Sequence, residues 1–412
     1  MNNPTLESLN LPTDEAAVVD AIRQRGALSR TDLATISGYS RAKMTAVAGN
    51  LIEKGILVEI GAGESQGGRR PRLLNFNANQ GYIAGVDLGA TSVDVAVADL
   101  TGKILARHSE AADVHAGPQV VLGRITAIIA ELLAQAELRT AQLTAIGLGV
   151  PGPVEFTSGR LIAPPLMPEW DGFPIPATLR AAFPNSRVIV DNDANVMALG
   201  ELVSGTGVGV EHFFLVKIGT GIGAGIICNG AVFRGSDGCA GDIGHICVDR
   251  AGPVCRCGNV GCLETIAAGP ALAERAAERA RNGQSPKLAQ RLAAQGYLLA
   301  EDVGAAAAAG DRVALELIQE SGRLIGEALA GLVNFFNPRL IVIAGGVSGI
   351  GHQLLASIKQ AVLHRSLPLA TKGLRIDYAA LGMDAGVRGA LALASKHAFG
   401  ATAGEASAPA PR

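Results

Sequence analysis

One histidine and three cysteines lie close together in the second half of the chain, and their side chains suit a metal ion. Structural zinc sites take four sulfur or nitrogen ligands in a tetrahedron. Gly258 and Gly261 let the backbone turn back between the cysteines. The pattern predicts a zinc-binding loop over 245–262 whose ligands are His245, Cys255, Cys257 and Cys262. Unbound cysteines beside an ordinary histidine, or a disulfide, are the alternatives.

The wider sequence favours metal over disulfides. The 412-residue chain has six cysteines, no signal-peptide pattern and no apolar run of about 18 residues. We therefore expect a protein of the reducing cytoplasm with no membrane association, where grouped Cys and His more often bind metal. Cys228, Cys239 and Cys247 lie in apolar or glycine-rich sequence, so we expect them to be small packing residues.

A predicted buried strand over 188–191 ends in a group of polar residues that could bind a hydroxylated ligand. Buried polar side chains are unfavourable unless they find partners. Asp193 could act as a general base on a hydroxyl, and Asn192 could hydrogen-bond a neighbouring hydroxyl. The alternative is an N-cap for a helix over 194–202, and the two interpretations are compatible.

Two glycine-rich turns predict loops that bind phosphate. Glycine lets backbone N–H groups approach a phosphate, threonine hydroxyls add donors, and an aspartate could hold Mg²⁺ or its water. The residues are Asp87, Gly89 and Thr91 in one turn and Gly219, Thr220, Gly221 and Gly223 in the other. Each turn by itself could be an ordinary tight hairpin. Their equivalent places after the first strand of two similar series of elements favour the phosphate interpretation.

The order of elements predicts two similar lobes around a cleft. Strand, strand, strand and helix occur in sequence from residue 82, and a similar order begins near residue 213. With 48% hydrophobic and 17% charged residues, the chain is expected to bury several cores. We predict lobe I over 77–200, completed by a helix over 385–398, and lobe II over 201–384. The polar segments 1–12 and 401–412 are expected to be disordered.

Residues 13–76 predict three short helices and a two-stranded wing. Ser29 with Asp32 forms a capping-box pattern, Gly38 ends the second helix, and Ser40 can cap the third. This order is typical of a winged helix-turn-helix, whose second helix of the pair enters the DNA major groove. Candidate DNA contacts are Ser40, Arg41, Lys43 and Thr45 on the third helix and Arg69, Arg70 and Arg72 in the wing.

Charge by itself does not settle this interpretation. The chain has a net charge of −2, and residues 1–76 carry nine Lys or Arg against eight Asp or Glu. Any DNA contact must therefore come from a local basic patch, with salt-dependent affinity. A helical protein-interaction module is the alternative.

Taken together, these motifs resemble the ROK family of repressors, open reading frames and kinases. The resemblance covers residues 13–398 and is strongest at Gly244-His245 and at Cys255-x-Cys257-Gly-x-x-Gly-Cys262-Leu-Glu264. It points to the transcriptional-regulator branch, similar to repressors of the xylose and N-acetylglucosamine type. The implied fold is α/β, with a winged helix-turn-helix before a two-lobed actin-like or ribonuclease H-like ATPase (sugar kinase) fold.

The resemblance also implies roles for individual residues. Asp193 matches the base that deprotonates a sugar hydroxyl in the family's kinases, and Asn192, His245 and Glu264 match sugar contacts. The glycine-rich turns match the ATP phosphate loops. One departure is Asp242, because the kinases usually have Gly-Glu-Ile-Gly-His where this chain has Gly241-Asp242-Ile-Gly-His245. The shorter carboxylate suggests altered ligand choice or weakened catalysis.

The sequence therefore predicts a sugar-responsive transcriptional regulator, and specifically a repressor. Its expected partners are a double-stranded DNA operator, a sugar or sugar-phosphate effector bound at Asn192, Asp193, Asp242, His245 and Glu264, structural Zn²⁺, and further copies of itself in a homodimer or homotetramer. The alternative is a kinase for a hexose or N-acetylhexosamine that uses ATP and Mg²⁺. A zinc hydrolase is disfavoured, because four protein ligands leave no open position for water.

Overall fold

The computed structural model of the chain describes residues 11–62 and 71–398. Residues 1–10, the segment 401–412 and the wing residues Arg69 and Arg70 lie outside these ranges. No helix within the described ranges combines the length and the apolarity needed to span a membrane.

The head, residues 13–76, consists of three helices and a small antiparallel sheet. Its elements are α1 (Thr13–Arg25), β1 (Leu28–Ser29), α2 (Arg30–Ser37), α3 (Arg41–Glu53), β2 (Leu57–Ala62) and β3 (Arg72–Phe76), with the strands in the order β1-β3-β2. The capping signals are confirmed. The Ser29 hydroxyl accepts the Asp32 N–H, the Asp32 carboxylate accepts the Ser29 N–H, and the Ser40 hydroxyl accepts the Lys43 N–H. Gly38 ends α2 with a φ of 70°.

Lobe I is built on a five-stranded sheet with helices packed on it. Its elements are β4 (Tyr82–Leu88), β5 (Ser92–Asp99), β6 (Ile104–Ala111), α4 (Pro118–Gln135), β7 (Leu143–Val150), the short pair β8 (Val154–Glu155) and β9 (Arg160–Leu161), α5 (Ile175–Ala182), β10 (Arg187–Asn192) and α6 (Asp193–Ser204). The strand order is β10-β7-β4-β5-β6. β4, β5 and β6 are antiparallel, whereas β4, β7 and β10 are parallel.

Lobe II repeats this arrangement. Its elements are β11 (Phe213–Ile218), β12 (Ile222–Cys228), β13 (Ala231–Val232), α7 (Leu263–Ala267), α8 (Gly269–Arg281), α9 (Pro286–Gln295), α10 (Ala300–Ala308), α11 (Arg312–Phe336), β14 (Leu340–Ala344), α12 (His352–Arg365), α13 (Pro368–Thr371) and β15 (Arg375–Tyr378). The strand order β13-β12-β11-β14-β15, with β11, β14 and β15 parallel, matches lobe I strand for strand. The duplication predicted from the order of elements is confirmed.

The last helix, α14 (Ala385–His397), returns to the first sheet. A Cβ atom on Gly147 of β7 would lie 2.1 Å from the Ala390 carbonyl oxygen, so only glycine allows this close packing. α14 also packs along α6, where a Cβ atom on Gly389 would lie 1.7 Å from the Val196 carbonyl oxygen. Ala390 further belongs to a buried cluster with Leu340 and Val342 of lobe II. α14 therefore packs on lobe I and belongs to a buried cluster that continues into lobe II.

The head is joined to the body by a shared core rather than by a linker alone. Val19, Ile22 and Met44 of the head are fully or almost fully buried in one cluster with Ile83 of β4 and Leu391 of α14. Burial of continuous apolar surface favours a fixed orientation of the head on lobe I.

A guanidinium adds polar contacts at this junction. Arg23 of α1 donates to the Ser395 hydroxyl at 2.8 Å and to the Leu100 carbonyl oxygen at 3.2 Å. Ser395 donates in turn to Leu100. One side chain of the head thus bonds to the last turn of α14 and to lobe I.

Candidate functional site

A cleft with a volume of about 1120 Å³ lies between the two lobes. Its lining includes every residue that the sequence predicted for sugar and phosphate binding: Asp87, Gly89, Thr91, Asn192, Asp193, Gly219, Thr220, Gly221, Gly223, Asp242, His245 and Glu264. These residues come from distant parts of the chain, and the two similar sheets bring them to one opening. Their roles in binding stay predictions.

Asn192 stands at the start of α6 and serves as its N-cap. Its side-chain oxygen accepts the N–H groups of Ala194 at 2.9 Å and Asn195 at 3.4 Å. Its side-chain nitrogen donates to the Gly152 carbonyl oxygen at 3.0 Å. The capping interpretation is confirmed, and one amide hydrogen of Asn192 remains for a ligand in the cleft.

Asp193, the first residue of α6, is buried with a lysine from the other lobe beside it. One carboxylate oxygen accepts the Ala194 N–H at 2.7 Å, and the other forms an ion pair with Lys217 of β11. Lys217 was missed by the sequence reasoning. The available signal was a single charged residue within the apolar strand Phe213–Ile218.

Asp87 ends β4 on the phosphate side of the cleft. Burial is the main reason that the pKa of Asp87 is raised to about 6; the Lys217 ammonium opposes this effect, and the charges of Asp193 and Asp94 reinforce it. Burial would lower the pKa of Lys217, but the carboxylates of Asp193 and Asp87 outweigh that effect and raise it. The three groups therefore form one electrostatic unit at the base of the cleft.

The two glycine-rich turns are tight hairpins that face the cleft. The Gly89 N–H donates to the Ser92 carbonyl oxygen at 2.8 Å, and the Gly219 N–H donates to the Gly221 carbonyl oxygen at 2.9 Å. These two donors are used inside the turns, so a phosphate would have to use other N–H groups or the Thr91 hydroxyl. The hairpin interpretation is confirmed as local structure, and phosphate binding stays a prediction.

Two further carboxylates face the cleft next to the cysteine loop. Glu264 accepts the Ile222 N–H at 3.1 Å, and a Cβ atom on Gly221 would lie 2.4 Å from one of its oxygens. Burial raises the pKa of Asp242. The charge of His245 opposes this increase, whereas the carboxylates of Asp193 and Glu264 reinforce it. Asp242 and Glu264 therefore add to the negative charge at the end of the cleft beside the cysteine loop.

The predicted metal ligands converge on one point. The ligand atoms of His245, Cys255, Cys257 and Cys262 all lie within 4.8 Å of one another. The Cys255 sulfur is 3.6 Å from His245 Nδ1, and the sulfurs of Cys257 and Cys262 are 3.7 Å apart. The four residues thus form a cluster able to hold one metal ion.

Backbone bridges close the loop around this cluster. Cys247 pairs with Cys262 and Val254 with Val260 in short antiparallel bridges. Gly261 has a φ of 69°, and a Cβ atom there would lie 1.5 Å from the Asp249 carbonyl oxygen. The glycine is therefore required by both its conformation and its surroundings.

The remaining cysteines differ from the prediction that they are packing residues. Cys239 and Cys247 are exposed, and Cys228 is half-buried. The sequence around Cys239 and Cys247 is glycine-rich because it forms surface loops, and such sequence does not bury a side chain.

The candidate DNA contacts within the described ranges lie on the surface of the head. Ser40, Arg41, Lys43 and Thr45 are exposed, as is Arg72. Lys43, however, is 2.8 Å from the Asp14 carboxylate and lies over the Tyr39 ring.

Arg72 is likewise not a free cation. It forms an ion pair with Glu59 of the neighbouring wing strand, and Arg30 pairs with the same carboxylate. Part of the positive charge that the sequence suggested is thus neutralised within the head.

Comparison with known proteins follows the same division of the chain. The model of the ROK family matches residues 83–397. The chain is 31% identical over 380 residues to a putative xylose repressor of Caldicellulosiruptor sp. (strain Rt8B.4), a match covering 91% of this chain and 94% of that protein. Such coverage necessarily includes residues of the head as well as both lobes.

Two solved structures are similar in fold. A ROK family transcriptional regulator, homologous to the MLC protein of E. coli, has a TM-score of 0.80 and 31% identity over 93% of this chain and 95% of that chain. A ROK family glucokinase from Streptomyces griseus, in complex with glucose and AMPPNP, has a TM-score of 0.68 and 30% identity over 76% and 99%. Since the family model spans both lobes, and since the fold agrees with solved members, the chain belongs to the ROK family.

Proposed function

We propose that this chain is a sugar-responsive transcriptional repressor, which binds an operator through its head and a sugar in the cleft between its lobes. The observation that carries this proposal is a helical head with a wing packed on the first lobe of a sugar-kinase-like body. The relatives similar over the full length include a putative xylose repressor and a ROK transcriptional regulator. A kinase needs no such head.

The head supplies the surface for DNA. Ser40 caps α3, and the exposed first turns of this helix carry Arg41, Lys43 and Thr45. In helix-turn-helix proteins the corresponding helix lies in the major groove. To contact a DNA phosphate, Lys43 would have to give up its ion pair with Asp14. Its contribution to the affinity for DNA is therefore only the difference in free energy between the two contacts.

The sugar end of the cleft offers acceptors for hydroxyl groups. The carboxylates of Asp193, Asp242 and Glu264 line it, together with Asn192 and His245. Carboxylates accept strong hydrogen bonds from hydroxyl groups. His245 faces Cys255 through Nδ1, so Nε2 is the ring nitrogen left for a sugar.

We infer that the metal cluster holds structural zinc. Zinc–sulfur bonds of about 2.3 Å and zinc–nitrogen bonds of about 2.0 Å in a tetrahedron place two sulfurs about 3.8 Å apart and sulfur and nitrogen about 3.5 Å apart. Two of the separations, 3.7 Å between sulfurs and 3.6 Å between sulfur and nitrogen, are close to these values, and all the ligand atoms lie within 4.8 Å of one another. The ion would fix the ring of His245 at the edge of the cleft.

A sugar would act by favouring one arrangement of the lobes. A ligand shifts an equilibrium only by its difference in affinity for the two states. Because α14 shares a core with the head and belongs to a buried cluster that continues into lobe II, a change in lobe closure would alter the position of the head. A homodimer or homotetramer would place two heads on two half-sites, and light scattering of the purified protein measures that state.

The test is operator binding with and without sugar. An operator is first selected from random DNA by the full-length protein, and binding is then followed by fluorescence anisotropy with xylose, glucose, N-acetylglucosamine and their phosphates. At least one compound should change the affinity by fivefold or more, as expected for a coupling of about 1 kcal/mol. Affinity that no sugar changes would contradict the effector part, and failure to select any DNA would contradict the DNA part.

An ATP-dependent sugar kinase is the second candidate, favoured by the turns at Gly89 and Gly219 and by the likeness to a glucokinase. ADP release with hexoses and N-acetylhexosamines distinguishes the two candidates. Turnover that Asp193→Asn abolishes would support the kinase, because that change removes the proposed base. Absence of turnover in a protein that still binds sugar favours the repressor.

A further inference from the structure

Lys217 bridges the two lobes at the base of the cleft. It extends from β11 of lobe II to the Asp193 carboxylate at the start of α6, and 23% of its side chain is exposed. Its charge also acts on Asp87 of lobe I. A lysine from one lobe therefore pairs with one carboxylate of the other lobe and opposes the charge of a second.

The charges around the cleft make this lysine distinctive. Among the cleft-lining residues within the described ranges, the Lys and Arg side chains are Lys217 and Arg281, whereas the acids are Asp87, Asp193, Asp242, Glu264, Glu274 and Glu301. Of these two cations, Lys217 forms the ion pair with Asp193, the proposed base. The sugar end depends on it for positive charge.

A divalent ion does not fit beside this ammonium. Mg²⁺ binds through one or two carboxylates and substrate phosphates, and it needs near-ideal octahedral geometry at about 2.0–2.1 Å. The ammonium of lysine is a compact, strongly hydrated point charge. Two cations between the same carboxylates would repel each other in a site of low effective dielectric constant.

We propose that Lys217 is the resident cation of the cleft, that it takes the place a divalent ion would need at the Asp193 carboxylate, and that the cleft therefore binds an uncharged sugar without Mg²⁺. Asp193 then serves as a hydrogen-bond acceptor held in place by Lys217. The cation site stands independently of the repressor function, whereas the choice of an uncharged effector rests on it.

The same charges should disfavour a phosphorylated effector. A phosphate near Asp193 would meet the carboxylates of Asp242 and Glu264 and a lysine that is already paired. An uncharged sugar presents only hydroxyl groups, which the same carboxylates can accept. The effector class is thus decided by the charge of the cleft rather than by its shape.

The test uses the full-length protein and Mn²⁺ as the probe for a divalent ion. Thermal unfolding is followed with and without millimolar MnCl₂ for the wild type, Lys217→Met and the charge-preserving control Lys217→Arg. Lys217→Met should be stabilised by several degrees, because the Asp193 carboxylate, left without its partner among the other acids of the cleft, can bind the ion, and ligand binding raises the unfolding temperature. The wild type and Lys217→Arg should show no such shift.

Two outcomes would overturn the proposal. One is stabilisation of the wild type by Mn²⁺ that Asp87→Asn removes, because the ion would then bind beside the lysine. The other is a folded Lys217→Met protein that ignores Mn²⁺. If Lys217→Met does not fold, Lys217→Gln replaces it with the same expectations.

A separate experiment tests whether the effector is an uncharged sugar. Isothermal titration of the wild type with glucose and with glucose 6-phosphate should give at least tenfold tighter binding of the uncharged sugar, with xylose and xylose 5-phosphate as a second pair. Tighter binding of a phosphate would overturn the effector part. If the wild type binds none of these sugars but the Mn²⁺ experiment gives the expected result, the proposed function is contradicted and the assignment of Lys217 as the resident cation is not.

Discussion

Single side chains in the cleft act on one another mainly through charge. Asp87, Asp193 and Lys217 lie on three different elements, yet each influences the others. The Lys217 ammonium stabilises the ionised carboxylates, and without it the two aspartates would face each other as like charges. The pH dependence of stability should therefore report on this group.

Asp87→Asn should change how stability depends on pH. The carboxyl has a pKa of about 6 in the folded protein and an ordinary value of about 3.9 when unfolded. Because the folded state holds the proton more tightly, Asp87 contributes stability below about pH 4 that is lost as the pH rises to about 6. The wild type should therefore lose on the order of 2 kcal/mol relative to Asp87→Asn between pH 4.5 and 7.5.

Urea unfolding of both proteins at the two pH values measures this difference. Lys217, Asp193 and Asp94 face Asp87 in both proteins, and the metal ligands titrate alike in both. Parallel profiles for the wild type and Asp87→Asn would contradict the assignment.

Cys257→Ser should lower the zinc content of the purified protein to well under half of the wild-type value. A hydroxyl is a poor replacement for a thiolate ligand, and the cluster would keep only three suitable atoms. Plasma mass spectrometry measures the metal. Cys228→Ser is the matched control, because Cys228 lies on β12 outside the cluster and should leave the zinc content unchanged.

Sugar binding should weaken in Cys257→Ser, because His245 would lose its fixed position. DNA binding should change less, since the head packs on lobe I and α14. Full zinc occupancy in Cys257→Ser would show that the ligand set is wrong.

At the scale of elements, the chain crosses between the lobes after α6 and again before α14. Both crossing segments donate hydrogen bonds to one buried carboxylate. Glu201, in the last part of α6, is completely buried and accepts N–H groups from Thr206 at 2.6 Å and Leu381 at 2.8 Å. The Ala380 N–H adds a third bond at 3.3 Å. Thr206 follows α6, whereas Ala380 and Leu381 precede α14. Glu201 therefore ties both crossings together where a hinge would lie.

Glu201→Gln should destabilise the protein by about 2–4 kcal/mol. The amide keeps the shape of the carboxylate but replaces one acceptor oxygen by a donor, which faces buried N–H groups. Denaturant unfolding measures the change. The exposed Glu316→Gln, which removes an ion pair with Arg312 within α11, should cost less than about 0.5 kcal/mol. Equal effects of the two changes would contradict the assignment of Glu201 as a buried acceptor that joins the two crossings.

On the scale of the whole molecule, the head and the body are joined through packing. The cluster that holds Val19 and Met44 continues into β4 and α14, and Arg23 adds bonds to Ser395 and Leu100. Ala390 of α14 also belongs to a buried cluster that continues into lobe II. We therefore expect a rearrangement of the lobes to affect the packing of α14, whose last turns hold the head.

Arg41→Ala should weaken operator binding and reduce its dependence on salt. Loss of one phosphate contact lowers the slope of log affinity against log salt by about 1, since one counterion fewer is released. Binding measured at a series of salt concentrations gives the slope. Arg25→Ala is the control, because Arg25 is exposed in the last turn of α1 and is not among the candidate DNA contacts, and its slope should match the wild type. An unchanged slope for Arg41→Ala would remove α3 from the DNA interface.

Features encoded over short stretches could be predicted from the sequence by itself. The caps at Ser29 and Ser40, the cap at Asn192 and the cluster of Cys255, Cys257 and Cys262 depend on residues a few positions apart. Hydrogen-bond geometry over one turn, or ligand geometry around one ion, limits such residues to few arrangements. The repeated order of strands likewise predicted the two matching sheets.

Only the tertiary structure decided which distant groups meet. In the sequence, Lys217 is a single charged residue in an apolar strand and Glu201 is a single acidic residue in a helix, and neither pattern indicates a partner. Their partners lie far along the chain or in the other lobe, and the pairing of Lys43 with Asp14 likewise depends on how α1 packs on α3. Spacing along the sequence carries no information about such contacts, because the packing of whole sheets and helices places them. The sequence by itself therefore determined the family, the lobes and the metal loop, whereas the charge balance of the cleft and the ties between its lobes came from the fold.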